Sequence, residues 1–241
     1  MNLYNLLREK KIRMDKKDIK VAIVDNSIDP SVYQPVRHWT SFLDVPWRAF
    51  RAQEGNLPNL DENFTHLILT GSEASILDRE AWVEKEVELA QDAVEKNLAV
   101  FGSCYGHQIL ALALAGPNHV RRCAFHEIGW FPIEITRESS LLGEKRIIYA
   151  FSSHFDEVIN LGESFSVLST SEKCKIQAFQ WKEKPVWGLQ YHPEITVPQA
   201  VQYIKSSADK LDRRASFYKD AMESTPKDSG LIQNIIYNFF T

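Results

Sequence analysis

The chain has 241 residues, enough for one α/β domain of ordinary size but too few for two comfortable ones. Hydrophobic residues make up 44% and charged residues 25%, and the net charge is −4 with an isoelectric point near 6.0, which excludes the basic surface of a nucleic-acid-binding domain. Because the sequence has no long apolar run, no signal-peptide core and only three cysteines, none in C-x-x-C spacing, we predict a cytoplasmic protein that spans no membrane.

The first 18 residues are predicted to form an N-terminal arm. Its basic residues are interleaved with Glu9, Asp15 and Asp18, a mixture typical of a solvated segment rather than of a binding patch. Residues 19–241 are predicted to form a single domain with C-terminal helices from about residue 197, because no repeat, low-complexity stretch or linker divides them.

The first half of the domain alternates apolar runs with helical patterns. The apolar runs predict strands at Ile19–Asp25, Trp47–Phe50, Thr65–Thr70 and Leu98–Phe101. Asp78 is predicted to cap a helix that extends to about Lys96, and an apolar helix is predicted at Tyr105–Ala115. Strands alternating with helices predict a parallel sheet that is covered on both faces.

The second half has shorter spacing between strands and then becomes helical. Five strands, some of them antiparallel, are predicted at Ile128–Thr136, Arg146–Ser152, Phe165–Thr170, Lys175–Trp181 and Val186–Tyr191. A helix is predicted after Pro198, and the apolar Leu231–Phe240 is predicted to be a final helix that docks on the domain or contacts a second protein chain. The predicted fold class is therefore α/β: a three-layer, open, mostly parallel sheet with helices on both faces and a small antiparallel region.

A nucleophile turn is predicted where the fourth strand meets the apolar helix. Gly102 and Gly106 flank Cys104 in the pattern G-x-C-x-G. This pattern places a nucleophile on a sharp turn at a helix N-terminus, where the helix dipole favours the thiolate. The backbone N–H of Tyr105 is then expected to point at a developing oxyanion. The other two cysteines lack this context and are predicted to be packing residues.

A base for this nucleophile is predicted at the end of a later apolar strand. His192 and Glu194 are separated by Pro193, so in an extended chain their side chains point to the same side. Glu194 is then able to orient the imidazole and stabilise its protonated form. The order nucleophile, base, acid along the chain differs from that of an α/β-hydrolase. No histidine pair has zinc-ligand spacing, so we predict no metal and no other cofactor.

With these residues in place, the sequence resembles the class I glutamine amidotransferases, in particular stand-alone domains similar to the glutaminase half of GMP synthase. The resemblance covers roughly residues 19–200 and depends on four blocks in order: LILTGSEAS at 67–75, VFGSCYGHQ at 100–108, SHFDEV at 153–158 and GLQYHPE at 188–194. It implies a flavodoxin-like core and a Cys104–His192–Glu194 triad that hydrolyses the γ-amide of glutamine through a γ-glutamyl thioester.

The resemblance also implies the remaining site residues. The second oxyanion donor would be the backbone N–H of Ser72, next to that of Tyr105. A loop at 153–158 would close over the amino-acid end of the substrate. The implied substrate-binding residues are Gly71, Gln108, Ser153, His154, Phe155 and Asp156. Two departures from the family pattern are Glu73 in place of proline after Gly71-Ser72 and Phe155 in place of glycine, which is expected to reshape recognition of the amino-acid end.

Three functions remain open from the sequence. The first is glutamine hydrolysis that supplies ammonia to a separate acceptor enzyme, since no synthetase segment is visible in the chain. The second is a stand-alone γ-glutamyl hydrolase or peptidase, which Phe155 and the missing synthetase favour mildly. The third is a non-catalytic binding module on the same fold, against which the presence of all three triad residues argues.

Overall fold

The computed structural model describes residues 15–210 and 215–241. Most of the predicted N-terminal arm, up to Met14, and Leu211 of the predicted helix after Pro198 lie outside these residues. Lys16–Asp18 forms a 3-10 turn, which Asp15 caps by accepting a hydrogen bond from the backbone N–H of Lys17. The last residues of the predicted arm therefore form a turn directly before the first strand.

The described residues contain nine strands that form one mixed sheet. Their bounds are Val21–Asp25 (β1), Trp47–Arg51 (β2), His66–Leu69 (β3), Ala99–Ser103 (β4), Val120–Ile135 (β5), Arg146–Val158 (β6), Phe165–Thr170 (β7), Ala178–Trp181 (β8) and Val186–Leu189 (β9). The order across the sheet is β2-β1-β3-β4-β9-β8-β7-β5-β6, with parallel pairing from β2 to β9 and antiparallel pairing beyond β9. The α/β class is confirmed, and the antiparallel part is larger than the sequence pattern indicates.

The parallel strands are buried on both faces, which is why they are apolar throughout. In β1, Val21 and Ile23 pack into one hydrophobic cluster while Ala22 and Val24 pack into the other. This alternation follows from the period of two along a strand. With helices on both faces, every side chain of a central strand faces a core, so polar residues are excluded until the strand ends.

Six α-helices are described. They are Pro35–Thr40 (α1), Val83–Glu95 (α2), Tyr105–Ala115 (α3), Val197–Lys210 (α4), Ala215–Met222 (α5) and Ile232–Phe239 (α6). In the described ranges, no helix has the length and apolar character needed to span a bilayer. The prediction that Asp78 caps α2 is wrong, because residues 76–78 form a separate 3-10 turn capped by Ser75 and the left-handed Arg79 follows it.

The C-terminal helix docks on the domain. Ile232, Ile235, Ile236 and Phe239 of α6 are buried in the same cluster as β1 and β4 residues. The imidazole Nε2 of His66 lies 3.1 Å from the carbonyl oxygen of Phe239, which adds a polar contact to the apolar packing. Of the two predicted roles for this segment, docking on the chain's own core is confirmed.

The largest departure from the sequence prediction concerns residues 153–158. The resemblance implies a loop here, but these residues continue strand β6, which pairs antiparallel with β5 along its length. The pairing shifts register between Arg122 and Glu127, so β5 contains a bulge directly opposite this segment. A strand holds these residues more rigidly than a closing loop would.

Candidate active site

The nucleophile turn has the geometry that its sequence pattern predicts. Cys104 lies between β4 and α3 with φ 50° and ψ −100°, a conformation that non-glycine residues rarely adopt. A Cβ atom on Gly102 would lie 2.4 Å from the carbonyl oxygen of Gly106, and one on Gly106 would lie 2.1 Å from that of Leu69. Both glycines are therefore needed for the helix to approach the strands this closely.

The predicted base and acid are aligned and buried. His192 Nδ1 lies 2.9 Å from Glu194 Oε1, and the two residues are 5% and 0% exposed. This contact directs the other imidazole nitrogen, Nε2, away from the carboxylate. The backbone N–H of His192 donates to the carbonyl oxygen of Phe151 at 2.8 Å, which holds the imidazole-bearing segment against β6.

The electrostatics couple the thiol to this pair. Burial alone would lower the pKa of His192, but the negative charge of Glu194 and the hydrogen bond and charge of Cys104 raise it to about 10. Cys104 and His192 are thus close enough to interact. The Cys104 thiol also contacts the carbonyl oxygen of Ser153, with Sγ and O 3.6 Å apart. The fold therefore brings the three predicted triad residues together.

Two residues that the sequence did not single out surround Glu194. The Ser103 hydroxyl lies 3.2 Å from each carboxylate oxygen of Glu194. The Tyr33 hydroxyl lies 3.3 Å from Glu194 Oε1 and 3.5 Å from His192 Nδ1, and burial followed by the charge of Glu194 raises the pKa of Tyr33. A buried carboxylate requires such donors. Ser103 is adjacent to the nucleophile, whereas no local pattern marks Tyr33.

The two predicted oxyanion donors, Ser72 and Tyr105, both line the pocket beside Cys104. Their backbone N–H groups have no protein acceptor within the described ranges. The loop before Ala74 is held in place, because the Ser72 hydroxyl accepts from the Ala74 N–H at 3.0 Å. Glu73 ties the same loop to the segment after β1 by accepting from the backbone N–H groups of residues 28 and 29 at 2.9 and 3.1 Å.

The pocket itself is small. Its cavity measures about 20 Å³, which is room for about one water molecule. Gln108, Ser153, Phe155 and Asp156 line it, as predicted for substrate-binding residues. The amide Nε2 of Gln108 donates to the backbone carbonyl of Asp156 at 2.9 Å, so Gln108 also fixes β6 against α3. Further lining residues that the sequence did not indicate are Ser75, Arg122, Tyr203 and Tyr218.

Gly71 and His154 have roles different from those implied by the resemblance. Gly71 does not line the pocket, and a Cβ atom there would lie 2.8 Å from both His192 Cε1 and the Tyr33 hydroxyl, so Gly71 makes room for the imidazole. His154 lies on the pocket wall, but its Nε2 is 3.0 Å from Glu127 and its Nδ1 is 3.2 Å from the Asp156 carbonyl oxygen. Both of its nitrogens therefore bind protein groups.

Behind His154, the fold brings together three potential metal ligands. Single ligand atoms of Glu127, His154 and Cys174 all lie within 4.8 Å of one another, although they have no zinc-ligand spacing in the sequence. Sequence spacing missed this cluster because it joins three strands or their ends. The Glu127 carboxylate already accepts hydrogen bonds from His154, Ser171 and Gln177, so we assign the cluster a structural role.

Comparison with known proteins bears on what this arrangement does. The sequence model of the family described as glutamine amidotransferase class-I matches residues 22–210. One of the two subunits of a glutamine-hydrolyzing GMP synthase, from Methanocaldococcus jannaschii, is 34% identical over 114 residues, which are 47% of this chain and 60% of that protein. The corresponding protein from Methanococcus maripaludis is 32% identical over 158 residues, 64% of this chain and 78% of that protein.

The fold is also found in solved structures. A glutamine amidotransferase from Thermotoga maritima superposes with a TM-score of 0.73 and 18% sequence identity, covering 92% of this chain and 96% of the other. At that identity the likeness concerns the fold alone. The matched part of this chain spans only 60% of the length of the Methanocaldococcus jannaschii protein.

Proposed function

We propose that this chain, which belongs to the class I glutamine amidotransferase family, hydrolyses the γ-amide of glutamine through a thioester on Cys104. One observation carries the proposal: Cys104 lies on a strained turn at a helix N-terminus, in contact with an imidazole that a buried carboxylate orients. This is the arrangement that an activated cysteine nucleophile needs.

The proposed reaction has two halves. His192 takes the proton of the Cys104 thiol, and the thiolate adds to the γ-carbonyl carbon of glutamine. The backbone N–H groups of Ser72 and Tyr105 stabilise the resulting oxyanion. When the carbon–nitrogen bond breaks, His192 returns the proton to the departing ammonia and leaves a γ-glutamyl thioester. His192 then removes a proton from water, which attacks the thioester, and glutamate and the free thiol are released.

The small pocket favours ammonia over a large leaving group. A cavity of about 20 Å³ leaves little space beside Cys104 for the remainder of a γ-glutamyl peptide. The alternative of a γ-glutamyl hydrolase or peptidase is therefore the weaker one. We further propose that residues 19–241 act as one domain and pass ammonia to a separate acceptor enzyme, which is supported by the naming of both relatives as single subunits of GMP synthase.

The direct test is glutamate release from L-glutamine by the purified chain. Cys104→Ala is expected to abolish release, while Cys123→Ala, a matched change at the half-buried cysteine, is expected to retain it. Release from γ-glutamyl peptides but not from glutamine would select the hydrolase alternative. No release from either, with both variants still folded, would select the non-catalytic binding module.

Ammonia supply to an acceptor has its own test. An amidotransferase that delivers ammonia to a partner wastes glutamine if it turns over freely. The isolated chain is therefore expected to turn over well below the enzyme median of about 10 s⁻¹. Turnover at or above that rate without a partner would contradict ammonia delivery but would leave glutamine hydrolysis intact.

A further inference from the structure

The pocket beside Cys104 contains one strongly basic side chain. Among its described lining residues, Arg122 is the only lysine or arginine, and its side chain is 50% exposed. Two carboxylates also line the pocket, those of Glu73 and Asp156. Glu73 binds two backbone N–H groups of the neighbouring loop, so its carboxylate is used to hold the structure together. Asp156 is the carboxylate that pairs with Arg122.

Asp156 is buried, yet one of its oxygens lacks a well-directed hydrogen bond. Its Oδ2 accepts from the Ser75 hydroxyl at 2.6 Å. Its Oδ1 lies 3.0 Å from Arg122 Nη1, but no donor reaches it with hydrogen-bond geometry, although the residue is only 4% exposed. Buried carboxylate oxygens are normally satisfied, because leaving one unpaired costs free energy. Oδ1 is thus an acceptor suited to an incoming donor.

These two groups match the charges of a free amino acid. The α-carbon of glutamine carries a carboxylate and an ammonium group, and a guanidinium binds carboxylates through parallel hydrogen bonds. We infer that Arg122 binds the α-carboxylate of the substrate while Asp156 Oδ1 accepts from its α-ammonium group. This inference rests on the proposed function and assigns a specificity-determining role to Arg122.

The closed cavity fits this role. Glutamine does not fit in about 20 Å³, so a wall residue must move before substrate binds. Buried lining residues such as Gln108, Tyr203 and Tyr218 are packed in place. Arg122 is half-exposed and flexible, so it can leave Asp156 without a change in the backbone and then bind the α-carboxylate. The substrate must therefore have a free α-amino-acid end, and glutamine within a polypeptide is excluded.

The test combines a substitution in the protein with a deletion in the substrate. Arg122→Gln is expected to lower kcat/KM for L-glutamine roughly 100-fold, the loss of a charged hydrogen-bonded pair. The same substitution is expected to change kcat/KM for 4-aminobutanamide, which lacks the α-carboxylate, less than about threefold, a bound set by the absence of that pair. Asp156→Asn is expected to impair glutamine but not glutaramate, which lacks the α-amino group.

Arg121→Gln is the matched control. Arg121 precedes Arg122, is similarly exposed at 57%, and pairs with Glu157 instead of Asp156. It is expected to retain wild-type activity on all three amides. Equal losses on glutamine and 4-aminobutanamide in Arg122→Gln would show a merely structural effect and overturn the inference, as would an unchanged kcat/KM for glutamine.

A binding measurement separates this inference from the proposed function. Calorimetric titration of L-glutamine into Cys104→Ala, with and without Arg122→Gln, requires no turnover. Weaker binding by about the same factor in the double variant would support the Arg122 assignment even if the wild-type chain hydrolyses nothing. Equal binding by the two proteins would overturn the Arg122 assignment, whether or not the wild-type chain is active.

Discussion

Two cysteine–histidine–glutamate arrangements lie within this domain, and only one of them is built for catalysis. In the first, the Cys104 site, His192 Nδ1 lies 2.9 Å from Glu194. In the second, the Cys123 cluster, Cys123 Sγ lies 3.4 Å from His154 Nδ1 and His154 Nε2 lies 3.0 Å from Glu127. By side-chain distances alone, the second is as complete as the first.

The surroundings distinguish the two. Cys104 lies at a helix N-terminus on a turn with a positive φ angle, beside two N–H groups without protein acceptors in the described part of the chain. Cys123 lies in the bulge of β5, and burial followed by the negative charges of Glu157 and its other neighbours raises the pKa of its thiol. The comparison teaches that backbone geometry and charge, and not the set of residues, make a cysteine nucleophilic.

The sharpest way to break this comparison is to remove each histidine in turn. His192→Gln is expected to lower kcat/KM for glutamine by at least about 10⁴-fold, because the base of the reaction is lost. His154→Gln is expected to leave kcat within about tenfold and instead to lower the free energy of unfolding by about 3 kcal/mol, because a buried ion pair with Glu127 is broken. Kinetics and denaturant unfolding of both variants measure these effects.

A stability loss without an activity loss in His192→Gln, or a large activity loss in a fully folded His154→Gln, would reverse the assignment. Either result would mean that the wrong histidine has been taken as the base.

The acid of the Cys104 site is expected to have the next largest effect. Glu194→Gln keeps the shape of the side chain but removes the charge that stabilises protonated His192. We expect kcat to fall on the order of 10³-fold. The matched change Glu127→Gln in the Cys123 cluster is expected to destabilise the fold and to leave the kcat of the folded protein nearly unchanged. Equal kcat losses in the two variants would contradict this division.

The dependence of stability on pH sharpens the comparison further. The pKa of His192 is raised from 6.5 to about 10 in the folded state, so the folded protein binds more protons than the unfolded chain between these values. This contribution to stability is fully present below pH 6.5 and is lost as the pH rises toward 10. Denaturant unfolding of wild type and Glu194→Gln across this range is expected to show a smaller decline in the variant, and parallel curves would refute it.

Tyr33 is expected to have the smallest effect. Its hydroxyl lies at the outer limit of hydrogen-bond distance from Glu194 and His192, so it helps to position the pair without taking part in proton transfer. Tyr33→Phe is expected to lower kcat about threefold, the cost of one weak hydrogen bond. Tyr237→Phe, at an exposed tyrosine of α6, is the control. A loss above about 100-fold for Tyr33→Phe would indicate a direct catalytic role.

Much of the parallel sheet and the nucleophile turn could be predicted from the sequence. A strand buried on both faces is a continuous apolar run, and the glycines around Cys104 are required by a close contact between strand and helix. His192 and Glu194 are two residues apart, so their common orientation follows from local geometry. These features depend on short stretches of chain, which is why a sequence pattern records them.

The remainder depends on contacts between distant residues. Strand β6 continues through the polar Ser153 and His154 because β5 pairs with it, and no local pattern reports that pairing. Tyr33 reaches Glu194 across 161 positions of the chain. Arg122 resembles its neighbour Arg121 in sequence, and only the bulge of β5 decides which of the two lines the pocket.

The most direct measurement is the labelling of the folded chain with a glutamine-like electrophile, 6-diazo-5-oxo-L-norleucine, followed by mass spectrometry. One adduct is expected, on Cys104, with Cys123 and Cys174 unmodified, and the rate of labelling is expected to fall sharply in His192→Gln. Labelling of Cys123 at a similar rate, or no adduct on Cys104 in the folded protein, would contradict the claim that the Cys104 site is the catalytic one.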